Sequence, residues 1–260
     1  MKSTLAALLC AICFHSISAQ SDTTGIIDYN ELVTFEINLE GVDSAQAAMM
    51  AMFMPKEQTF YKQLLFETTQ TIFIQNDSIT KAENDARMKK MRMEGGPMIH
   101  IQSEGDNGQL YVDLTKNTTL QKQVFMNREF LIEEKIISPK WKITGNQKTI
   151  LNYTCIEATT TIDSSLVTAW FTPQIKNAIG PNGLNGLPGA ILEVTMNNGT
   201  LKYVATKITL KPLDKKAILK PKEGKKVTKE EFEKIVAEKE KEMEEVYGKG
   251  DGNNIMIKMK

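Results

Sequence analysis

The chain has 260 residues, of which 41% are hydrophobic and 25% are charged, so it can bury a core and is not disordered by composition. Its 32 Lys and Arg residues balance its 32 Asp and Glu residues, which argues against a polybasic protein that neutralises nucleic-acid phosphates. The two histidines, His15 and His100, are too few for a multi-histidine metal site, and we expect neither a metal nor a cofactor.

The first nineteen residues have the features of an export signal. Lys2 supplies a positive charge, an apolar run extends from Leu5 to Phe14, and small residues lead to a predicted cleavage after Ala19. The apolar run is too short to span a bilayer, which takes about twenty residues, and no later stretch is apolar enough to do so. We therefore expect residues 20–260 to form one exported domain without a transmembrane segment.

Cleavage after Ala19 would leave Cys155 as the one cysteine of the exported chain. A single thiol cannot form an internal disulfide, and in an oxidising compartment it persists best when it is buried. Cys155 lies within a strand-like segment, residues 149–159, so we expect its side chain to be buried.

The amino-terminal half contains a series of short elements. Alternating apolar residues predict a strand over residues 25–39, and good helix caps followed by Met and Ala predict a helix over residues 43–54. Residues 77–96 are polar and are predicted to form a loop with a short helical or hairpin piece. The remaining predicted strands cover residues 66–75, 98–102, 109–114, 119–125 and 129–134.

The predicted Met/Ala-rich helix is apolar nearly all round, so it should be buried or should face an apolar ligand. Methionine adapts its shape to irregular apolar surroundings. The sequence therefore predicts an apolar pocket at this helix, formed by Met49, Met50, Met52, Phe53 and Met54.

The carboxy-terminal half has clearer turn residues. Asn197-Asn-Gly199 predicts a tight hairpin, because Asn and Gly tolerate positive φ. A basic linker over residues 211–226 leads to Thr228 and Glu231, which form a capping box at the start of an amphipathic helix over residues 228–247. The predicted strands cover residues 149–159, 166–172, 190–196 and 200–210, and the tail, residues 254–259, alternates like an edge strand.

Many short strands divided by Gly, Asn and Asp are typical of antiparallel sheets. We predict a mainly β fold of the α+β class, in one domain. Its centre is a large curved antiparallel sheet of half-barrel shape, covered by the Met/Ala-rich helix and by the carboxy-terminal amphipathic helix.

The most specific motif is a loop rich in glycine and proline, Gly186-Leu-Pro-Gly-Ala-Ile191. Pro188 and Gly189 have the φ preferences of the two central residues of a type II turn, so the motif predicts such a turn immediately before a strand. The motif contains no nucleophile, acid or ligand, and it lacks the lysine and hydroxyl residue of a phosphate-binding loop. We therefore interpret Gly186, Leu187, Pro188, Gly189, Ala190 and Ile191 as a structural turn.

This motif resembles the signature of the GLPGLI family of exported Bacteroidota proteins. Its surroundings resemble the family too: Trp141, the segment 150–158, Ala169-Trp-Phe-Thr172 and Gly180-Pro181. Ala190 replaces the usual leucine, and Asn152 stands where glycine is common. The resemblance, together with the export signal, implies the periplasm or outer-membrane neighbourhood of a Gram-negative bacterium. It also implies outer-membrane transport or other envelope proteins as partners, and it assigns no biochemical activity.

The leading functional hypothesis is a non-enzymatic binding or scaffolding module for an apolar ligand or an envelope protein partner, with no catalytic residues. Two alternatives remain open. Methionines at Met49–Met54 and at Met88, Met91, Met93 and Met98 could bind Cu(I), which prefers thioether ligands. A cysteine-dependent hydrolase would use Cys155 as the nucleophile and His100 as the base.

Overall fold

The computed structural model describes residues 24–34, 44, 56–94, 108–214 and 216–247. These residues form twelve strands and two long helices. The strands are β1 (Gly25–Thr34), β2 (Glu57–Phe66), β3 (Gln70–Gln75), β4 (Gln109–Asp113), β5 (Thr118–Phe125), β6 (Arg128–Lys135), β7 (Lys142–Ile150), β8 (Tyr153–Ile162), β9 (Ser165–Thr172), β10 (Ala190–Met196), β11 (Leu201–Leu210) and β12 (Lys225–Val227). The helices are α1 (Asp77–Glu94) and α2 (Lys229–Tyr247).

The twelve described strands form one sheet in the order β12-β6-β5-β4-β3-β2-β1-β11-β10-β9-β8-β7. β7 and β12 are its two edges, so the sheet is open, and the prediction of a mainly β fold with a large curved sheet is confirmed. The sheet is mixed, however, because β12 pairs in parallel with β6. The predicted antiparallel pairing holds for the other strand pairs of the described sheet, and the exception is this edge, where the chain crosses the sheet after β11 before it pairs with β6.

Three hairpins turn through pairs of residues that both have positive φ. The pairs are Met126–Asn127, Leu151–Asn152 and Asp163–Ser164, with φ between 47° and 67°. Left-handed pairs of this kind match the twist of the flanking strands. The turn at Leu151–Asn152 divides the predicted strand 149–159 into β7 and β8, so that prediction was wrong, because Leu151 is not a typical turn residue.

Two further elements differ from the sequence predictions. Residues 57–66 form β2, which the sequence analysis missed, and the predicted loop 77–96 is largely the helix α1. Asn76 begins this helix, since its side-chain Oδ1 accepts a hydrogen bond from the backbone N–H of Ile79 at 3.3 Å. The helix is rich in helix-forming residues but has no apolar face long enough to show a periodicity.

Several predictions fall on residues outside the described ranges. These are the Met/Ala-rich helix apart from Ser44, the apolar pocket at Met49, Met50, Met52, Phe53 and Met54, the strand 98–102 that contains His100, and the tail 254–259. They remain predictions.

The sheet bends so that its two halves face each other. In sheet order β10 and β4 are five steps apart, or about 24 Å along a flat sheet. Yet a Cβ atom at Gly183, in the loop that leads to β10, would lie 2.9 Å from the side chain of Leu110 on β4. Buried residues of β1, β2 and β3 share one apolar cluster with those of β8, β9 and β10. We call this concave, core-forming side the inner face and the opposite side the outer face.

The outer face of β2–β6 has its own apolar cover. Ile218 packs there with Leu213 and Ala217 against a cluster that includes Tyr111 and Leu131. At the inner side of β5 and β6, Phe232 of α2 makes edge-to-face contacts with Phe125 and Phe130. Burial of these apolar surfaces on both faces provides the main stabilisation of this half of the sheet.

The predicted capping box of α2 is confirmed. The backbone N–H of Glu231 donates to Thr228 Oγ1 at 3.1 Å, and the backbone N–H of Thr228 donates to the Glu231 carboxylate at 2.9 Å. Within the described part of the chain, neither helix has the length and apolar character needed to cross a membrane.

Candidate functional site

The glycine-proline loop is fixed at its end by Gly189, which has a φ of 156°. A Cβ atom at this position would lie 2.1 Å from the carbonyl oxygen of Thr172, so the close approach of the two backbones requires glycine. The loop is anchored further by Leu187, whose side chain is buried in the inner-face core.

The turn is not of the predicted type. A type II turn would join Leu187 and Ala190, but the N–H of Gly189 donates to the carbonyl of Leu187 at 2.8 Å. The N–H of Ala190 instead donates to the carbonyl of Ile175 at 3.0 Å, which ties the start of β10 to the loop after β9. The positive φ of Gly189 was predicted correctly, and the turn type was wrong because a distant carbonyl takes the hydrogen bond.

Trp141 and the loop are held together, although they are far apart in sequence. Trp141 Nε1 donates a hydrogen bond to the carbonyl of Asn185 at 2.8 Å, and the hydroxyl of Ser138 donates to Asn185 Oδ1. Asn185 Nδ2 in turn donates to the carbonyl of Gly183 at 2.9 Å. Gly186 has a φ of 90°, which favours glycine, and a Cβ atom there would lie 3.3 Å from Ser138 Cβ and 3.5 Å from the Trp141 ring.

These contacts make the loop a structural element. Residues 180–191 carry no titratable side chain, so the loop itself offers shape and backbone groups but neither an acid nor a base. The buried backbone groups of Ile191 at its end have hydrogen-bond partners. The N–H of Ile191 donates to the carbonyl of Ile179, and the carbonyl of Ile191 accepts a hydrogen bond from the hydroxyl of Tyr29 at 2.6 Å. Burial raises the pKa of the Tyr29 hydroxyl, which therefore stays protonated and donates.

The inner face contains a buried ion pair. Lys62 on β2 is 7% exposed, and its Nζ lies 3.5 Å from the carboxylate of Glu31 on β1. The hydroxyl of Tyr203 donates to the other carboxylate oxygen of Glu31 at 2.7 Å. Each charged group thus has a partner of suitable chemistry in a site with little water.

A second charge network lies on the outer face of β7–β11 and is partly exposed. Glu193 accepts hydrogen bonds from Lys148 at 2.7 Å and forms an ion pair with Lys202 at 3.2 Å. The ammonium of Lys148 also lies 4.3 Å from the centroid of the Trp170 ring, a favourable cation–π geometry. Glu157, Trp170 and Glu193 are direct partners across β8, β9 and β10, so their side chains stand in one row.

The β7 edge extends this row with polar groups. Glu157 accepts hydrogen bonds from the Thr144 hydroxyl at 2.6 Å and from Asn146 Nδ2 at 2.7 Å. The first of these bonds, with help from the second, lowers the pKa of the Glu157 carboxyl, which therefore stays charged near neutral pH. We call Lys148, Glu157, Trp170, Glu193 and Lys202 the outer platform.

The outer platform was not predicted from the sequence. Each of its residues lies on a strand and alternates with residues of the opposite face, a signal that was present in the sequence. Which residues stand next to each other depends on the register of five strands, including a bulge between Ile191 and Glu193. No local pattern specifies that register.

Cys155 lies beneath the outer face and is fully buried, as predicted. Its Sγ lies 3.6 Å from the carbonyl oxygen of Tyr153. Burial raises the pKa of the Cys155 thiol to about 11, so the thiolate needed for nucleophilic attack is scarce at neutral pH.

The methionine clusters are only partly within the described residues. Met93 on α1 is exposed, whereas Met49, Met50, Met52, Met54 and Met98 lie outside the described ranges. Among the described residues, no three His, Cys, Asp or Glu side chains converge into a metal-binding group.

Residues 101–233 match the model of a protein family described as the N-glycanase peptide, N-terminal domain, of the PNGase F-II type. The match covers more than half of the chain. The chain belongs to this family. Among curated proteins, none matches the sequence.

The fold of this N-glycanase N-terminal domain family member is similar to two crystal structures of PNGF-II. The first, in space group P21, has a TM-score of 0.51 at 16% sequence identity and covers 83% of this chain and 33% of the PNGF-II chain. The second, in space group C2, has a TM-score of 0.51 at 16% identity and covers 82% and 32%. The chain thus spans about a third of the length of PNGF-II, and the likeness is one of fold.

Proposed function

We propose that this protein is an exported, non-enzymatic binding module of the cell envelope whose partner is a glycosylated protein. The observation that carries the proposal is the outer platform, where the half-buried indole of Trp170 stands among fixed hydrogen-bonding groups. Export rests on the signal-like first nineteen residues.

The outer platform has the chemistry that sugar recognition needs. A sugar ring offers apolar C–H groups to an aromatic surface and hydroxyl groups to charged and amide side chains around it. Here Trp170 supplies the aromatic surface, which a sugar would share with the Lys148 ammonium that lies 4.3 Å from the ring centroid, and Lys148, Glu193 and Glu157 supply donors and acceptors. Their mutual bonds hold these groups in place before binding, which lowers the entropy lost when a ligand is bound.

The family supports a glycosylated partner over an unmodified one. The family is named for an N-glycanase, an activity that acts on glycans attached to protein. A domain of such a protein has a reason to contact the glycosylated polypeptide without carrying out the reaction. We place this chain in that role, with binding as its activity.

The arrangement of the inner face favours a protein partner over an apolar ligand. In the described residues the space between the two halves of the sheet holds the core and the loop before β10, including Leu187 and Ile175. The resemblance of Gly186–Ile191 to the GLPGLI proteins supports the same reading, since it implies envelope or outer-membrane transport proteins as partners. We infer that the chain is also one of these GLPGLI proteins, located in the periplasm or at the outer membrane.

The non-enzymatic character rests on two observations. The raised pKa and complete burial of Cys155 disfavour the alternative of a cysteine-dependent hydrolase. The glycine-proline loop contains no acid, base or nucleophile. Copper binding by the methionines stays the other alternative, and a Cu(I) titration of the protein and of its Met→Leu variants tests it.

A binding assay with a matched pair of ligands tests the proposal. We expect the protein to bind an immobilised N-glycosylated protein and to bind the same protein about tenfold more weakly after its glycans are removed. Trp170→Ala should weaken binding to the glycosylated form about tenfold, because one stacked aromatic contributes roughly 1–1.5 kcal/mol.

Leu166→Ala is the control, since Leu166 is exposed on the same strand and the same face as Trp170. This variant should bind like the unmodified protein. Equal binding to the glycosylated and deglycosylated ligands, or an equal loss in both variants, would contradict the proposal.

A further inference from the structure

The segment between β11 and β12 concentrates positive charge. Residues 211–226, which we call the basic strap, contain seven lysines against Asp214 and Glu223, in a chain whose formal net charge is zero. Of these two acidic residues, Glu223 has a partner outside the strap, because its carboxylate lies 3.8 Å from the ammonium of Lys122 on β5. The excess charge of the strap is therefore balanced elsewhere in the molecule, for example by the eight glutamates of α2.

The strap is fixed to the sheet and presents its lysines to solvent. Ile218 is buried against the outer face of β2–β6, and Pro221 is buried as well. The exposed lysines of the strap are Lys211, Lys216, Lys220, Lys222, Lys225 and Lys226. Lys225 shares the inner side with Val227, because successive residues of β12 alternate, so we count the other five exposed lysines as the charge of the strap.

In the sequence of the strap, Leu219 lies between Lys216 and Lys220, and it is 59% exposed. Its neighbours in sequence are the buried Ile218 and the exposed Lys220, so the chain is anchored while the leucine points outwards. An exposed apolar side chain flanked in sequence by lysines is a combination found at membrane interfaces, where the apolar group enters the lipid and the amines meet phosphates.

We propose that the basic strap docks this protein on an anionic phospholipid surface. Leu219 enters the headgroup region, and the surrounding lysines contact lipid phosphates. Each lysine close to such a surface strengthens binding by about fivefold, so five together suffice for reversible association. A soluble polyanion would attract the lysines equally well but would offer nothing to Leu219, and this difference favours the lipid surface.

The bend of the sheet determines how the outer platform would be oriented when the strap is docked on a membrane. The halves of the sheet meet through their inner faces, so the outer face under the strap and the outer platform point in opposite directions. A protein docked through the strap would turn Trp170 away from the membrane. Docking by the strap and binding by the platform are thus compatible but independent, and each can fail without the other.

Sedimentation with lipid vesicles tests the proposal. The probe is a vesicle of about 30% phosphatidylglycerol in phosphatidylcholine, compared with pure phosphatidylcholine, at low salt. We expect binding to the anionic vesicles only, and its loss at about 0.5 M salt, where the screening length falls to a few ångströms. The double variant Lys220→Glu/Lys222→Glu should bind at least about tenfold more weakly.

Two further variants test whether binding depends on the position of the lysines and on the apolar side chain of Leu219. Lys140→Glu/Lys142→Glu makes the same charge change at two exposed lysines at the start of β7, the edge strand opposite β12 in the sheet order, and should bind like the unmodified protein. Leu219→Ser should weaken binding to the anionic vesicles while leaving binding to soluble dextran sulfate unchanged. Circular dichroism melts confirm that every variant is folded.

Three results would overturn the proposal. They are equal binding to neutral vesicles, an equal loss in the two double variants, and vesicle binding that Leu219→Ser leaves intact. The last result would identify the strap as a general polyanion site.

Discussion

The sheet carries two lysine–glutamate networks on opposite faces, and the lysine is buried in one and partly exposed in the other. On the inner face, Lys62 and Glu31 have side-chain exposures of 9% and 16%. On the outer face, Lys148 and Glu193 have side-chain exposures of 34% and 13%. The chemistry of the two pairs is the same, and the outer pair even has the shorter distance, 2.7 Å against 3.5 Å.

We expect that the distance between the charged groups alone does not determine how much such contacts contribute to stability. An ion pair in water gains little, because water already solvates both charges. A buried pair also gains little overall, but removal of one partner leaves the other charge uncompensated where little water reaches it. We therefore expect the inner pair to matter for stability and the outer network to matter for recognition.

The largest effect is expected for Lys62→Met. Glu31 would then keep the hydroxyl of Tyr203 but lose its ammonium partner. We expect the free energy of unfolding to fall by about 3–5 kcal/mol, measured by urea denaturation. The double variant Glu31→Leu/Lys62→Met should recover most of this loss, because no buried charge remains unpaired. A loss below about 1 kcal/mol in the single variant would remove the distinction between the two networks.

Gly189→Ala is expected to have the next largest effect. The new Cβ would meet the carbonyl oxygen of Thr172 at 2.1 Å, and the backbone would have to move. We expect a loss of about 3 kcal/mol in the free energy of unfolding. Gly145→Ala on the β7 edge is the control, since its φ is also positive but nothing lies within 4 Å of the new Cβ. It should cost roughly 1–2 kcal/mol for backbone strain alone; equal losses would mean that the loop tolerates the contact.

Lys148→Met repeats the first substitution on the outer face. It removes the ion pair with Glu193 and the contact with the Trp170 ring, both partly exposed. We expect a loss of less than about 1 kcal/mol, by the same urea denaturation. Glu193 keeps its ion pair with Lys202 in this variant, so the comparison with Lys62→Met tests the combined effect of greater burial and of losing the ammonium partner. A loss as large as that of Lys62→Met would contradict the expected ranking.

The smallest effect concerns Asp113, at the end of β4. Hydrogen bonds from the Thr115 hydroxyl and from the backbone N–H of Lys116 lower the pKa of its carboxyl from 3.8 to about 2. A folded-state pKa below that of the unfolded chain means that the carboxylate stabilises the fold above about pH 4. This contribution is lost as the pH falls through about 2.

Urea midpoints between pH 5 and pH 2 check this expectation. The unmodified protein should lose its advantage over Asp113→Asn across that interval, and the two curves should converge near pH 2. Curves that stay parallel over the whole interval would show that Asp113 is not the group that titrates.

The local features of the fold were predictable where a few neighbouring residues determine them. The capping box of Thr228 and Glu231 and the hairpin at Asn197–Gly199 are confirmed, because caps and tight turns depend on side chains a few positions apart. The turn at Leu151–Asn152 was missed for the complementary reason. Leucine rarely adopts positive φ, and the pairing of β7 with β8 holds it there.

The candidate site was less predictable than the fold. The most specific sequence motif, Gly186–Ile191, has a structural role in shaping the backbone. The outer platform instead combines Lys148, Trp170 and Glu193, which lie on three strands and are up to 45 residues apart. Their meeting depends on strand order and register, and both are set by the packing of the whole sheet.

By itself the sequence determined that this chain builds a mainly β fold with a glycine-dependent bend before β10 and a capped helix near its end. These properties follow from conformational preferences of single residues and short segments, which act before any distant contact forms. Only the tertiary structure decided which charges are buried, which stand on the outer platform, and that the strap and the platform face opposite ways. Burial and adjacency are properties of the bent sheet as a whole, since they arise when segments remote in sequence exclude water together.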